Sequence, residues 1–253
     1  MTKQKKVTIN HYLNKQLKPK EANGLLYYAP YTRVTFDRKN NKFSMDWAKD
    51  FDISLDIKPF YNRFTDEGFT SFLQKHPGYV MEIDRTIEQS IRYEYHFFGD
   101  DFQLKGFGDR FELYRTLLYA LFYDKIREDL FQELKKHLSK VELMEIGRAF
   151  NMPIFTRDSL QIKDHDLRKY QSILSKNSFG DISMCYVLST YQVETERETG
   201  SRLATIFDWV VNDLKPDFEA YFNQTLSKKG WQLSTEVLEK VDLFINQALS
   251  EVY

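Results

Sequence analysis

Few residues in this chain carry the spacing that catalysis or metal binding requires. The histidines and the lone Cys185 show no zinc-ligand spacing, no Gly-x-Ser-x-Gly elbow and no Gly-Lys-Ser/Thr occurs, and Lys105-Gly106-Phe107-Gly108 is expected to lack the strand and helix that flank a phosphate loop. Acid clusters at Asp100-Asp101 and at Glu194, Glu196 and Glu198 have the chemistry to bind Mg2+ in a nuclease, but solvated charge is the better account of them. The reading is therefore of a non-enzyme with no catalytic residues, no cofactor and no metal.

The cations are the exception, because their chemistry is phosphate neutralisation and their distribution is uneven. Residues 1–42 hold ten lysines and arginines against only Glu21 and Asp37, whereas the whole chain has a net charge of -1. Such asymmetry marks a basic segment for nucleic acid or a membrane surface, the bland alternative being a solubilising terminus. Side chains of the right type are spread through this segment: Lys6, Thr8, Asn10, Lys18, Lys20, Arg33, Thr35, Arg38, Lys39 and Lys42. Lysines hold phosphates, and Arg, Asn and Thr reach base edges in the major groove of double-stranded DNA.

Strands must position these groups. Val7, Ile9 and Leu13 alternate with Thr8, Asn10 and Tyr12 at the period of a half-buried strand. A polar loop through Pro19, Asn23 and Gly24 follows, then a second strand over about Leu25–Phe36 whose Pro30 places it at an edge or a bulge. Turn chemistry at Asp37–Asn41 leads to a short third strand, Lys42–Met45. With Val7, Ile9, Val34, Phe36, Phe43 and Met45 inward, Lys6, Thr8, Asn10, Arg33, Thr35, Lys42 and Ser44 share the outer face.

The runs "VTINHYLNKQLKP" and "YAPYTRVTFDRKNNKFS" resemble the N-terminal arm-type DNA-binding domain of tyrosine recombinases, particularly integrases of Bacteroidetes mobile elements. Pro30, Tyr31, Arg33, Val34 and Thr35 match its second-strand pattern, with an aromatic Tyr31 where the pattern has an aliphatic residue, and Arg38 and Lys39 match its basic turn. The resemblance covers residues 5–46 and implies a three-stranded antiparallel sheet lying in the major groove. It would also imply a catalytic domain, and here the chain departs from the family. His165 and Arg168 in "HDLRKY" have the His-x-x-Arg spacing, but no arginine box, Leu-Gly-His segment or tyrosine in family context accompanies them. A helix-surface pair is the simpler account.

Beyond residue 46 the pattern is helical, with the longest helix expected over "DRFELYRTLLYALFYDKIREDLFQELKKHL", Asp109–Leu138. Others are expected at Gly68–Lys75, Met81–Tyr95, Lys140–Asn151, Asp164–Ser175, Arg202–Asp213, Pro216–Ser227 and Thr235–Val252, with Gly99, Gly106 and Gly108 punctuating a long loop. "DFDISLDIKPF" is the best candidate boundary. "SKVELMEIGRAFNMPIFTRDSL" offers a helix-turn-helix alternative, in which Thr156, Arg157, Ser159 and Gln161 head a reading helix, against an ordinary helical hairpin. Tyr93, Tyr95, Phe97 and Phe98 are read as core or as base-stacking aromatics.

The expected fold is thus α+β: a basic sheet at 1–46, then a larger helical domain at 47–253 of unassigned role, open to a protein partner. The absence of an apolar leader, of a transmembrane run and of paired cysteines leads us to expect a cytoplasmic location with no membrane partner. The expected function is binding of double-stranded DNA as an accessory or remnant protein of a mobile element. The alternative is a helical assembly module whose basic sheet packs in cis.

Overall fold

The computed structural model describes residues 5–47, 60–139, 171–199, 204–233 and 235–253. The chain forms two compact units, Met1–Glu112 and Leu113–Tyr253. The expected α+β order is present: an N-terminal antiparallel sheet followed by a mainly helical region.

In the first unit β1 (Val7–Leu13), β4 (Pro30–Phe36) and β5 (Lys39–Ser44) form a sheet in the order β1-β4-β5, all antiparallel. Period-2 alternation sets its faces. Val34, Phe36, Phe43 and Met45 are buried, and Val7 and Ile9 pack against them half-buried. Asp37 and Arg38 have φ of 48° and 64°, so the β4–β5 connection is a two-residue turn with both residues left-handed, the kind that matches strand twist.

Two expectations are corrected here. Pro30 opens the central strand, opposite Leu13, and does not mark an edge or a bulge; at a strand's first residue its missing N–H is tolerated. The supposed loop through Gly24 contains a second hairpin, β2 (Lys20–Ala22) with β3 (Leu25–Tyr27), turned by Asn23 and Gly24 at φ of 53° and 74°. Asn-Gly is the strongest short-range hairpin signal. The expected Leu25–Phe36 strand is therefore broken at Tyr28, which leaves the ladder to bridge Phe64.

Helices α1 (Asp66–Lys75), α2 (Pro77–Phe98) and α3 (Phe107–Tyr114) complete this unit, the unit boundary falling inside α3. Phe69 and Phe72 from α1, Ile83, Ile87 and Ile91 from α2, and Phe107 and Phe111 from α3 share one core with the sheet's inner face. The compact unit containing the sheet thus runs well past the expected division at residue 46. Phe36 meets Tyr95 and Phe102 edge-on at 5.2 and 5.6 Å. Gly108 does not punctuate a loop. It lies in the first turn of α3, where a Cβ would fall 2.4 Å from Phe43 Cβ. The segment between α2 and α3 is held by a buried ion pair: Arg110 donates to both oxygens of Glu94 at 3.0 and 2.9 Å, and to the carbonyls of Gln103 and Lys105.

The second unit packs α4 (Leu118–Leu134), α5 (Lys176–Thr199), α6 (Ile206–Val210), α7 (Lys215–Lys229) and α8 (Glu236–Ser250) around its own core. The single helix expected over Asp109–Leu138 is two, because the backbone between them turns to another partner. Leu118 N–H donates to Ala204 O and Ile206 N–H donates to Thr116 O. The longest helix among the described residues is instead α5, which lies outside every helix expected from the sequence. Ile182, Met184, Cys185, Val187, Leu188 and Tyr191 are all buried, so no one-sided stripe exists to be read. Its start is held by Glu133, which accepts from Ser175 N–H and from the hydroxyl of Ser178. That pairing with Ser178 keeps the Glu133 carboxyl below its usual range.

The remaining helices fall close to their expected positions, with Arg202–Asp213 shortened to α6. The Lys140–Asn151 helix, the helix-turn-helix reading after Ser139, His165 and Arg168, and most of the Asp164–Ser175 helix and of the "DFDISLDIKPF" boundary lie outside the described residues. Among the described residues no helix is long and apolar enough to cross a membrane.

Candidate nucleic-acid interface

Strand register decides which of the candidate side chains meet. Asn10 is opposite Arg33 and Arg33 is opposite Lys42, so the three form one row across the sheet. Thr8, Thr35 and Asn40 form the next row, tied by a 2.6 Å hydrogen bond from Thr35 Oγ to Asn40 Oδ1. Tyr12, Tyr31 and Ser44 form the row beyond. Lys6 precedes β1 in phase with Thr8 and Asn10. Lys6, Thr8, Asn10, Arg33 and Lys42 are exposed and Thr35 is half-buried.

The other predicted cations lie at the two ends of this face. Arg38 and Lys39 are exposed at the β4–β5 turn, at the end where β1 begins. Lys18 and Lys20 are exposed at the opposite end, before and within the β2–β3 hairpin, and the Lys20 ammonium sits 5.1 Å above the Phe60 ring. A seven-residue strand spans about 20 Å, so the candidate cations bracket a face of roughly that length.

The cations of this unit fall into two groups. Lys5 bonds Asp37 at 2.8 Å and Tyr95 at 2.9 Å, which together hold its ammonium well above the usual lysine value. Lys15 bonds Asp66 at 2.7 Å, and its ammonium is raised by that contact. Arg92 pairs with Glu88 and Arg110 with Glu94. By contrast, Lys6, Lys18, Lys20, Arg33, Arg38, Lys39 and Lys42 form no ion pair with an acid among the described residues. Arg38 and Lys39 still feel the charge of Asp37 beside them, so the exposed cations of the sheet face itself, Lys6, Arg33 and Lys42, are the ones best placed to attract a polyanion.

Sequence reasoning overlooked Tyr12, Tyr31 and Asn40 as members of this face. The strand period that selected Asn10 and Arg33 selects the two tyrosines as well. Their ring centroids lie 6.3 Å apart, and the Arg33 guanidinium lies 5.4 Å from the centroid of Tyr12. The inner side of the same strands is closed: His11 bridges Thr32 and Asp84 at 2.9 and 2.8 Å and meets Trp47 edge-on.

Elsewhere the chemistry is sparse. The described residues hold no cluster of His, Cys, Asp and Glu suited to a metal ion. Cys185 is buried and burial pushes its thiol far up, and burial likewise raises the phenol of Tyr191, which packs on Phe218 and Tyr221. The aromatics at the end of α2 divide, Tyr95 joining the core while Phe97 is 73% exposed. Comparison with protein-family models, curated proteins and solved structures gives no match for this chain.

Proposed function

We propose that this protein binds double-stranded DNA through the outer face of the β1-β4-β5 sheet, as an accessory or remnant factor of a mobile element and without catalysing strand exchange itself. The observation that carries the reading is the Asn10–Arg33–Lys42 row, exposed and free of acidic partners among the described residues. A two-strand separation of about 10 Å fits within a major groove about 12 Å wide. The mobile-element setting rests on the resemblance of residues 5–46 to the arm-type domain. The cis-packing alternative keeps the packing of the sheet's inner face on α1, α2 and α3 but gives the outer row no ligand, and it is favoured instead if Arg33 substitutions lower stability without changing duplex discrimination.

Deleting the sheet would strip Val34, Phe36, Phe43 and Met45 from the core, so the test must alter the outer face alone. With four to six phosphate contacts, log affinity of the intact chain falls against log salt with a slope of about -4 to -5. The triple substitution Lys6→Gln, Arg33→Gln, Lys42→Gln flattens that slope by about two units, through Lys6 and Lys42, lowers affinity further through Arg33, and leaves the melting temperature little changed. Equal affinity and slope in the triple variant refute the interface.

A further inference from the structure

The Arg33 guanidinium is not held by an acid, yet it is not isolated. Tyr12 is opposite Tyr31 while Asn10 is opposite Arg33, which makes Tyr12 the diagonal neighbour of Arg33 on the same face. The ring is braced in turn: it is half-buried and lies against Tyr31. A guanidinium 5.4 Å from the centroid of a braced ring is drawn to its face and loses part of its rotamer freedom before any ligand arrives. Less ordering then remains to oppose each hydrogen bond of the planar fork. The base edge that accepts such a fork in the major groove is that of guanine, through O6 and N7.

Building on the duplex-DNA reading above, we propose that Tyr12 is a positioning residue that pre-orients Arg33 to read a guanine. Lys42, across from Arg33, is a point charge without a fork, and Asn10 suits adenine, so the guanine preference belongs to the Tyr12–Arg33 pair.

The experiment is selection from a randomised duplex library by the full chain, followed by affinity ratios for the selected duplex against one with the fixed guanine replaced. The intact chain enriches one guanine, and Arg33→Ala erases that enrichment. Tyr12→Leu lowers the guanine preference about two- to fivefold, and any loss of affinity for random duplex is smaller than the loss on the selected one. Tyr12→Phe, which keeps the ring, keeps the preference. Should Tyr12→Leu melt early, Tyr12→Thr, a good strand former, replaces it in the same comparison. An unchanged guanine preference in Tyr12→Leu, an equal loss in Tyr12→Phe, or a uniform weakening on all duplexes overturns the positioning role. Failure of the unaltered chain to bind any duplex overturns the DNA reading itself, and so is distinguished from these outcomes.

Discussion

Along β4 the side chains of Val34 and Phe36 are sealed in a core of aromatic rings, while Arg33 between them and Thr32 is exposed. The inner face of the sheet is satisfied by α1, α2 and α3; the outer face has cations without acids and hydroxyls and amides in register. Folding requires the first set only. Altering the cations of the second set is expected to cost little stability, so that binding and stability can be separated by substitutions one residue apart.

The inner side should give the largest effect. Arg110→Ala leaves the carboxylate of Glu94 buried and removes two bonds to backbone carbonyls, so it destabilises the first unit by about 3–5 kcal/mol. Denaturant unfolding followed on both units separately checks this, and a loss below about 1 kcal/mol would place that pair outside the inner framework. On the outer side, Arg33→Ala costs about 1–3 kcal/mol of affinity for a preferred duplex and reduces discrimination, with no change in melting. Lost stability with an unchanged specific-to-random ratio would reverse the contrast between the faces.

Smaller effects sharpen it. Lys18→Ala or Lys20→Ala, at the hairpin end, weakens all duplexes alike and flattens the salt slope by about one unit, as measured by titration at several salt concentrations. The smallest effect concerns Asp37, whose carboxyl is held below its ordinary value by Lys5. Its contribution to stability is present above the usual carboxylate range and is lost as pH falls through its depressed folded value. Both partners are open to solvent, so Asp37→Asn, which tolerates the left-handed turn, lowers the melting temperature slightly at neutral pH, and that difference vanishes on acidification.

How far the sequence foretold this arrangement depends on the range of the deciding interaction. The two sheet faces were legible because a period of two is local, and Val34, Phe36, Phe43 and Met45 obey it. The β2–β3 hairpin is legible in Asn23-Gly24, although its short polar flanks also read as a loop. The partition of cations was only half legible: the period of two sets Lys6 in phase with Thr8 and Lys5 in the opposite phase, but that Lys5 has acceptors in Asp37 and Tyr95 depends on the chain's return. Helix α5 was not legible: its broad buried surface through Ile182, Met184, Cys185, Val187 and Leu188 leaves no narrow stripe to read, and its Gly180 is fitted against Val237, where a Cβ would lie 3.0 Å away. The mutual support of Tyr12 and Arg33 likewise needed the register, which sequence alone leaves open.

The paired backbone bonds between Thr116–Leu118 and Ala204–Ile206 bear on how the second unit folds. These segments are about ninety residues apart, and closing a loop of that size costs only about 0.6 kcal/mol more than closing one half as long. The cost appears in rate, because contacts distant along the chain are slow to be made. The body of α4 can coil early through local bonds, while its first turn has no fixed start until the 204–206 segment arrives. The division between α3 and α4 is therefore expected to be set late in folding, when the 204–206 segment arrives.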